Sequence, residues 1–212
     1  MWKLFLVIFA SILLILLIFY LIFHKQVSVF IVKVTGKKRI QRKLYKACKA
    51  NDYLIINDIY LPVDNDKIRH VDTIIFANKY IYICSEISES GEVRISLEDN
   101  KWRVIYNNNL TLIDNPFIYN RKIIKRLVNV VDGLEFKDIK SLVILPKTCT
   151  FNQNVGTDNE LIVKENEAID LIIQIEKNSN EDIIDPYEAE RYANAFYQYG
   201  LETEKLLKKS RR

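Results

Sequence analysis

IRHVDTIIFANKYIYICSEISESG, residues 68–91, decides how this chain is read. Two apolar runs, Val71–Phe76 and Tyr80–Cys84, flank the turn Ala77-Asn78-Lys79, a pattern that predicts a pair of strands. One aspartate, Asp72, interrupts the first run. Burying a charge without a partner is costly, so Asp72 is either a structural hydrogen-bonding group or part of a metal site.

The flanking sequence predicts an α/β or α+β domain in which helices cover a mixed sheet. Before the pair, Asp52–Tyr60 reads as a strand ended by Pro62. After it, Glu92–Leu97 and Trp102–Tyr106 read as a hairpin around Glu98-Asp99-Asn100-Lys101, followed by a short run at Leu110–Ile113. Asn115-Pro116 is a helix-start signal and predicts a helix from Phe117 to Val131. Its Arg121, Lys122, Lys125 and Arg126 read as solvated helix surface. Ile139–Leu145 (IKSLVIL) is apolar enough for a central strand covered on both faces. A strand at Glu160–Lys164 and helices at Glu167–Lys177 and Tyr187–Lys208 complete the pattern.

The first fifty residues differ in kind. Leu4–Phe23 carries no charge and one clearly polar side chain, Ser11. Twenty such residues span roughly 30 Å as a helix, the hydrocarbon thickness of a bilayer, so a single transmembrane anchor is expected. Only Lys3 precedes the span, whereas nine Lys and Arg and no acid lie between His24 and Ala50. The positive-inside rule then puts the N-terminus outside and the body in the cytoplasm, at the cell membrane. Three widely spaced cysteines (Cys48, Cys84, Cys149) and two histidines suggest neither a disulfide framework nor a zinc site.

Net charge is +4 overall, yet residues 51–200 hold sixteen Lys and Arg against twenty-five Asp and Glu, a net of −9. Such a body is a poor non-specific partner for nucleic-acid phosphates, while a basic arm just below a membrane suits anionic lipid. Lys37, Lys38, Arg39, Arg42, Lys43 and Lys46 are the candidate lipid-facing residues. Ile40, Leu44 and Cys48 recur every fourth residue among them, so the same helix is expected to lay an apolar stripe on the sheet.

Residues 36–150 resemble the nuclease-related domain, a family of the restriction-endonuclease-like superfamily often found behind a transmembrane segment in bacteria. The resemblance rests on Gly36 ahead of a helix, NDIYLP at 57–62, Asp72 in HVDTIIF, the Gly91 turn, Trp102 and NPFIYN at 115–120. Together with the anchor read from the uncharged run, it gives a boundary scheme of anchor 1–24, linker 25–35, nuclease-related domain 36–155 and a C-terminal extension 156–212 packed on it. It also implies a chemistry: an aspartate and a glutamate holding Mg²⁺, with a lysine two residues past the glutamate orienting the nucleophile.

In that pattern the Glu-x-Lys stands thirteen residues past the aspartate. Here Ser85 and Ile87 occupy those places, and Lys37 stands where the family's helix carries an acid. Glu86 is one residue off and, by strand alternation, reaches Asp72 only if the strand is bulged. Asp72 is thus left as a vestigial catalytic and metal-binding candidate, with Glu86 and Glu89 able to join it only through such a rearrangement. His70 is on the same strand face and reads as a partly exposed edge residue.

The expected function is therefore a membrane-anchored nuclease-related protein that acts as a non-catalytic binding or scaffold module, with no cofactor and an unknown protein partner. The alternatives are an active Mg²⁺-dependent DNA endonuclease tethered to the membrane, and a structural protein held by lipid contacts.

Overall fold

The computed structural model describes residues 2, 9, 12–14, 37–64, 67–152 and 155–210. Most of the expected membrane span, 4–23, and the linker 25–35 lie outside them. Among the described residues no helix is long and apolar enough to cross a membrane.

Residues 37–50 are helical (α1). A five-stranded sheet follows, in the order β1-β2-β3-β7-β9, from Leu54–Asp64, Lys67–Phe76, Ile81–Glu86, Ile139–Leu145 and Glu160–Lys164. The first three strands form an antiparallel meander, and β3, β7 and β9 run parallel. A second sheet, β6-β5-β4-β8, uses Asn109–Asp114, Lys101–Tyr106, Glu92–Arg94 and Thr150–Phe151. Helices α2 (Pro116–Val130), α3 (Ala168–Asn178) and α4 (Pro186–Ser210) complete the domain.

The architecture is thus mixed α/β, with two sheets where a single one was expected. Strand β1 runs through Pro62 to Asp64, past the expected stop. It lies at the edge of its sheet, where a residue without an N–H removes no essential ladder bond. The two-residue β8 was too short to give a periodic signal.

Each face of the main sheet has its own helices. On one, Ile59, Leu61, Ile74, Phe76, Ile81 and Ile83 meet Ile123 and Leu127 of α2 and Phe196 of α4. On the other, Ile75, Tyr82, Cys84, Leu142 and Ile144 meet Ile40, Leu44 and Cys48 of α1 and Ile172 of α3. The four-residue stripe of α1 therefore does bind the sheet, and the fully buried β7 is an interior strand covered on both faces, as its composition predicted. A third cluster, with Val93, Trp102, Val104 and Phe117, joins the second sheet to Val143 and Leu145 of β7.

The C-terminal segment is integral to this packing. Its β9 is a strand of the main sheet, and α4 crosses β1 so closely that a Cβ on Gly200 would sit 2.3 Å from the Ile59 side chain. At Gly91, φ is +130° and a Cβ would come within 2.3 Å of the Ile105 carbonyl oxygen, so the turn into β4 needs glycine. All three cysteines are buried free thiols.

Asn115 caps α2 as its sequence predicted, accepting the Phe117 N–H at 3.0 Å. Its amide nitrogen also donates to the carbonyls of Ser96 and Asp99, at 3.0 and 2.8 Å, so one side chain ties the helix start to the hairpin. Asn115→Ala removes the cap and these bonds and is expected to cost roughly 1–2 kcal/mol in chemical denaturation. A loss near zero would mean that water replaces the amide.

Candidate functional site

Strands β1 and β2 bend together at one place. Ile56 and Ile59 pack on the same side, as do Val71 and Ile74, although strict alternation would oppose each pair. The irregular residues are Asp58 and Asp72, which lie between the paired positions Asn57–Thr73 and Ile59–Val71. Asp58 adopts φ +55°, in the left-handed region that aspartate tolerates better than most residues. The bend brings Asp72 and Thr73, although consecutive, both toward α1.

Beyond the bend the sheet forks. The β2–β3 ladder ends at Thr73–Cys84, while β3 stays paired with β7 as far as Glu86–Ile144. In the fork the Glu86 N–H donates to Asp72 Oδ2 at 2.8 Å, so a side chain supplies the acceptor that β2 no longer offers. Asp72 Oδ1 accepts from Lys37 Nζ of α1 at 2.7 Å and lies 3.4 Å from His70 Nδ1. His70 Nε2 is 3.1 Å from Asp58 Oδ1, and Gln41 of α1 donates to Asp58 Oδ1 at 3.2 Å.

Glu86 therefore sits beside Asp72 without a bulge in its own strand. Glu86 keeps the regular alternation of β3, on the face of Tyr82 and Cys84, and the irregularity in β2 turns Asp72 to that same face, so the irregular strand on which the sequence reading made their meeting depend is β2 rather than β3. Glu86 is 3% exposed, and its Oε1 lies 3.1 Å from Thr73 Oγ1, whose other neighbour is Asn57 Oδ1 at 2.9 Å. The hydroxyl has one proton to give, so the second bond is completed by a protonated Glu86 or by the Asn57 amide turned over. Glu86 Oε2 is buried with no hydrogen-bond partner.

The electrostatics agree with that protonation. Burial, then the negative charge of Asp72, pushes the Glu86 carboxyl up to about 8. Burial also works to raise Asp72, but the His70 contact, the Glu86 N–H and the Lys37 ammonium outweigh it and hold the carboxyl below its usual range. Its contact with Asp72 raises His70 against the opposing effect of burial. At neutral pH the group is a Lys37–Asp72 ion pair beside an uncharged Glu86.

The other sequence candidates go elsewhere. Ser85 faces α2, where its hydroxyl donates to Asn120 Oδ1 at 2.9 Å and Asn120 Nδ2 donates to Ser141 Oγ at 2.8 Å. Ile87 packs on the Trp102 cluster. The Glu89 carboxylate accepts from the N–H and hydroxyl of Ser88, at 3.2 and 3.3 Å, a local turn. Of the lipid-facing candidates, Lys37 is held by Asp72, and Arg39 donates to both oxygens of the buried Glu165, at 2.8 and 2.7 Å. Lys38, Arg42, Lys43 and Lys46 stay exposed on α1.

Sequence reasoning missed Lys37, Thr73, Gln41 and Asn120 as members of these networks. A signal for Lys37 was present, since it follows Gly36 at the point where the resemblance calls for an acid.

Residues 33–146, just over half of the chain, match the nuclease-related domain family, and the chain belongs to it. No curated protein and no solved structure matches it significantly.

Proposed function

We propose that this protein is a membrane-anchored member of the nuclease-related domain family whose domain serves as a non-catalytic binding module on the cytoplasmic side. The observation that carries the proposal is Lys37 Nζ on Asp72 Oδ1, a cation from the chain itself at the carboxylate that would hold the metal. Mg²⁺ demands near-octahedral oxygen ligation and parts reluctantly with its water. Both Asp72 oxygens are engaged, Glu86 is uncharged at neutral pH, and no lysine follows Glu86 by two residues, since Ser88 stands there. Among the described residues no group of three or more His, Cys, Asp or Glu is arranged to hold a metal ion. The donor set does not fit Mg²⁺. The anchor is supported by the uncharged run 4–23, and the cytoplasmic side by the basic residues that follow it.

One observation favours the rival reading, an active Mg²⁺-dependent nuclease: Glu86 Oε2 is buried beside Asp72 without a partner. The two readings separate in one assay. Detergent-solubilised full-length protein, incubated with plasmid DNA and Mg²⁺ or Mn²⁺, is expected to leave the plasmid supercoiled. Cleavage that disappears in Asp72→Asn would overturn the proposal.

A further inference from the structure

We infer that the outer face of α1 is an electrostatic contact surface for anionic lipid headgroups, which fixes the orientation of the domain against the membrane. The inference rests on the anchored reading above and adds to it a surface and a ligand class.

The structure divides the basic residues of α1 into two sets. Lys37 and Arg39 turn inward to Asp72 and Glu165. Lys38, Arg42, Lys43, Lys46 and Lys49 are exposed, and among the described residues none of them has an ion-pair partner. Lys38, Arg42 and Lys46 follow one another at four-residue steps and so form a single row, with Lys43 beside it. Lys38, Arg39, Arg42, Lys43 and Lys46 together line a shallow concavity to which no acid contributes among the described residues. The stripe opposite, Ile40, Leu44 and Cys48, is buried on the sheet, so the helix cannot roll to present another face. Tyr45 stands on the outer side, 54% exposed, an aromatic with an apolar ring and polar tip suited to the headgroup level.

The ligand class follows from charge and tether. Residues 51–200 carry a net charge of −9, which repels a nucleic acid as it would wrap the domain, whereas a planar anionic surface needs to meet only one helix. Between the uncharged run ending at Phe23 and the start of α1 lie thirteen residues, which reach at most roughly 45 Å fully extended. The helix is thereby confined near the bilayer, and attraction that decays over about 8 Å at physiological salt becomes effective once it touches.

The test uses the full chain in lipid nanodiscs, with a fluorophore on Tyr45→Cys and nitroxide-headgroup lipid as quencher. Discs of neutral phosphatidylcholine are compared with discs containing about one-third phosphatidylserine. The expected result is quenching several-fold stronger on the anionic discs, falling to the neutral level in 0.5 M salt, at which screening is nearly complete. The combined Lys38→Glu, Arg42→Glu, Lys43→Glu and Lys46→Glu variant is expected to behave like the neutral discs. Equal quenching on both lipids at low salt overturns the inference, and the salt comparison reads the unaltered helix should the reversed variant misfold. Preferential binding of duplex DNA added to anionic discs, with loss of quenching, overturns it in favour of a nucleic-acid surface. A failed anchor reads differently: the protein does not enter the discs at all and elutes apart from them.

Discussion

Asp72→Ala is expected to destabilise the domain by roughly 2–4 kcal/mol in urea unfolding at pH 7. Two effects contribute. The Glu86 N–H loses its acceptor inside the fork, where β2 offers no replacement. The Lys37 ammonium loses its partner too, but with 45% of its side chain exposed it can return to water at small cost. Asp72→Asn keeps an oxygen for the Glu86 N–H and is expected to lose about half as much. The sign of the effect bears on function. Carboxylates held ready for a metal repel one another when it is absent, so deleting one of them relieves strain and stabilises the metal-free protein. A stabilising Asp72→Ala would therefore contradict a structural role and return Asp72 to the catalytic reading.

Much of the fold was legible because the relevant signals were local. The uninterrupted apolar run of β7 announced a strand covered on both faces, Asn115-Pro116 announced a capped helix, and the four-residue stripe of α1 announced the face it buries. Pro62 misled because the proline rule depends on whether a strand is central or at an edge, and strand order is not written locally. The candidate site was less legible for a related reason. Asp72 was found because a charge inside an apolar run is conspicuous, but its neighbours depend on where β2 and β3 part, a property of the sheet as a whole. Counting positions along β3 assumed that Asp72 keeps the alternation of β2, and the irregularity at Asp58 and Asp72 breaks it. Ser85 therefore occupies the counted place and faces α2, while Glu86 occupies the physical one. Lys37 came from a helix thirty-five residues upstream, read only for its part in a basic surface.

The uncharged state of Glu86 leads to the other large effect, which appears with pH. Its folded carboxyl titrates near 8, against 4.5 for an unperturbed glutamate. Between those values the folded protein holds a proton that the unfolded chain has released, so stability declines as pH rises through this window and levels off above about 8. A shift of this size corresponds to roughly 2–5 kcal/mol between pH 5 and 9. Glu86→Gln keeps the shape and a donor for Thr73 but cannot ionise, so this part of the pH dependence should vanish. Because other groups titrate as well, the measurement is the difference between wild type and variant in urea unfolding at pH 5, 7 and 9. The variant should gain steadily on the wild type as pH rises. Asp72 does not confuse the comparison: its lowered carboxyl contributes stability that is present above the normal aspartate range and lost only in acid. A difference independent of pH would show that Glu86 is already ionised in the folded protein. Glu86 would then carry a free charge beside Asp72, and repeating the series with Mg²⁺ would reveal a metal-binding pair if the wild type alone became more stable.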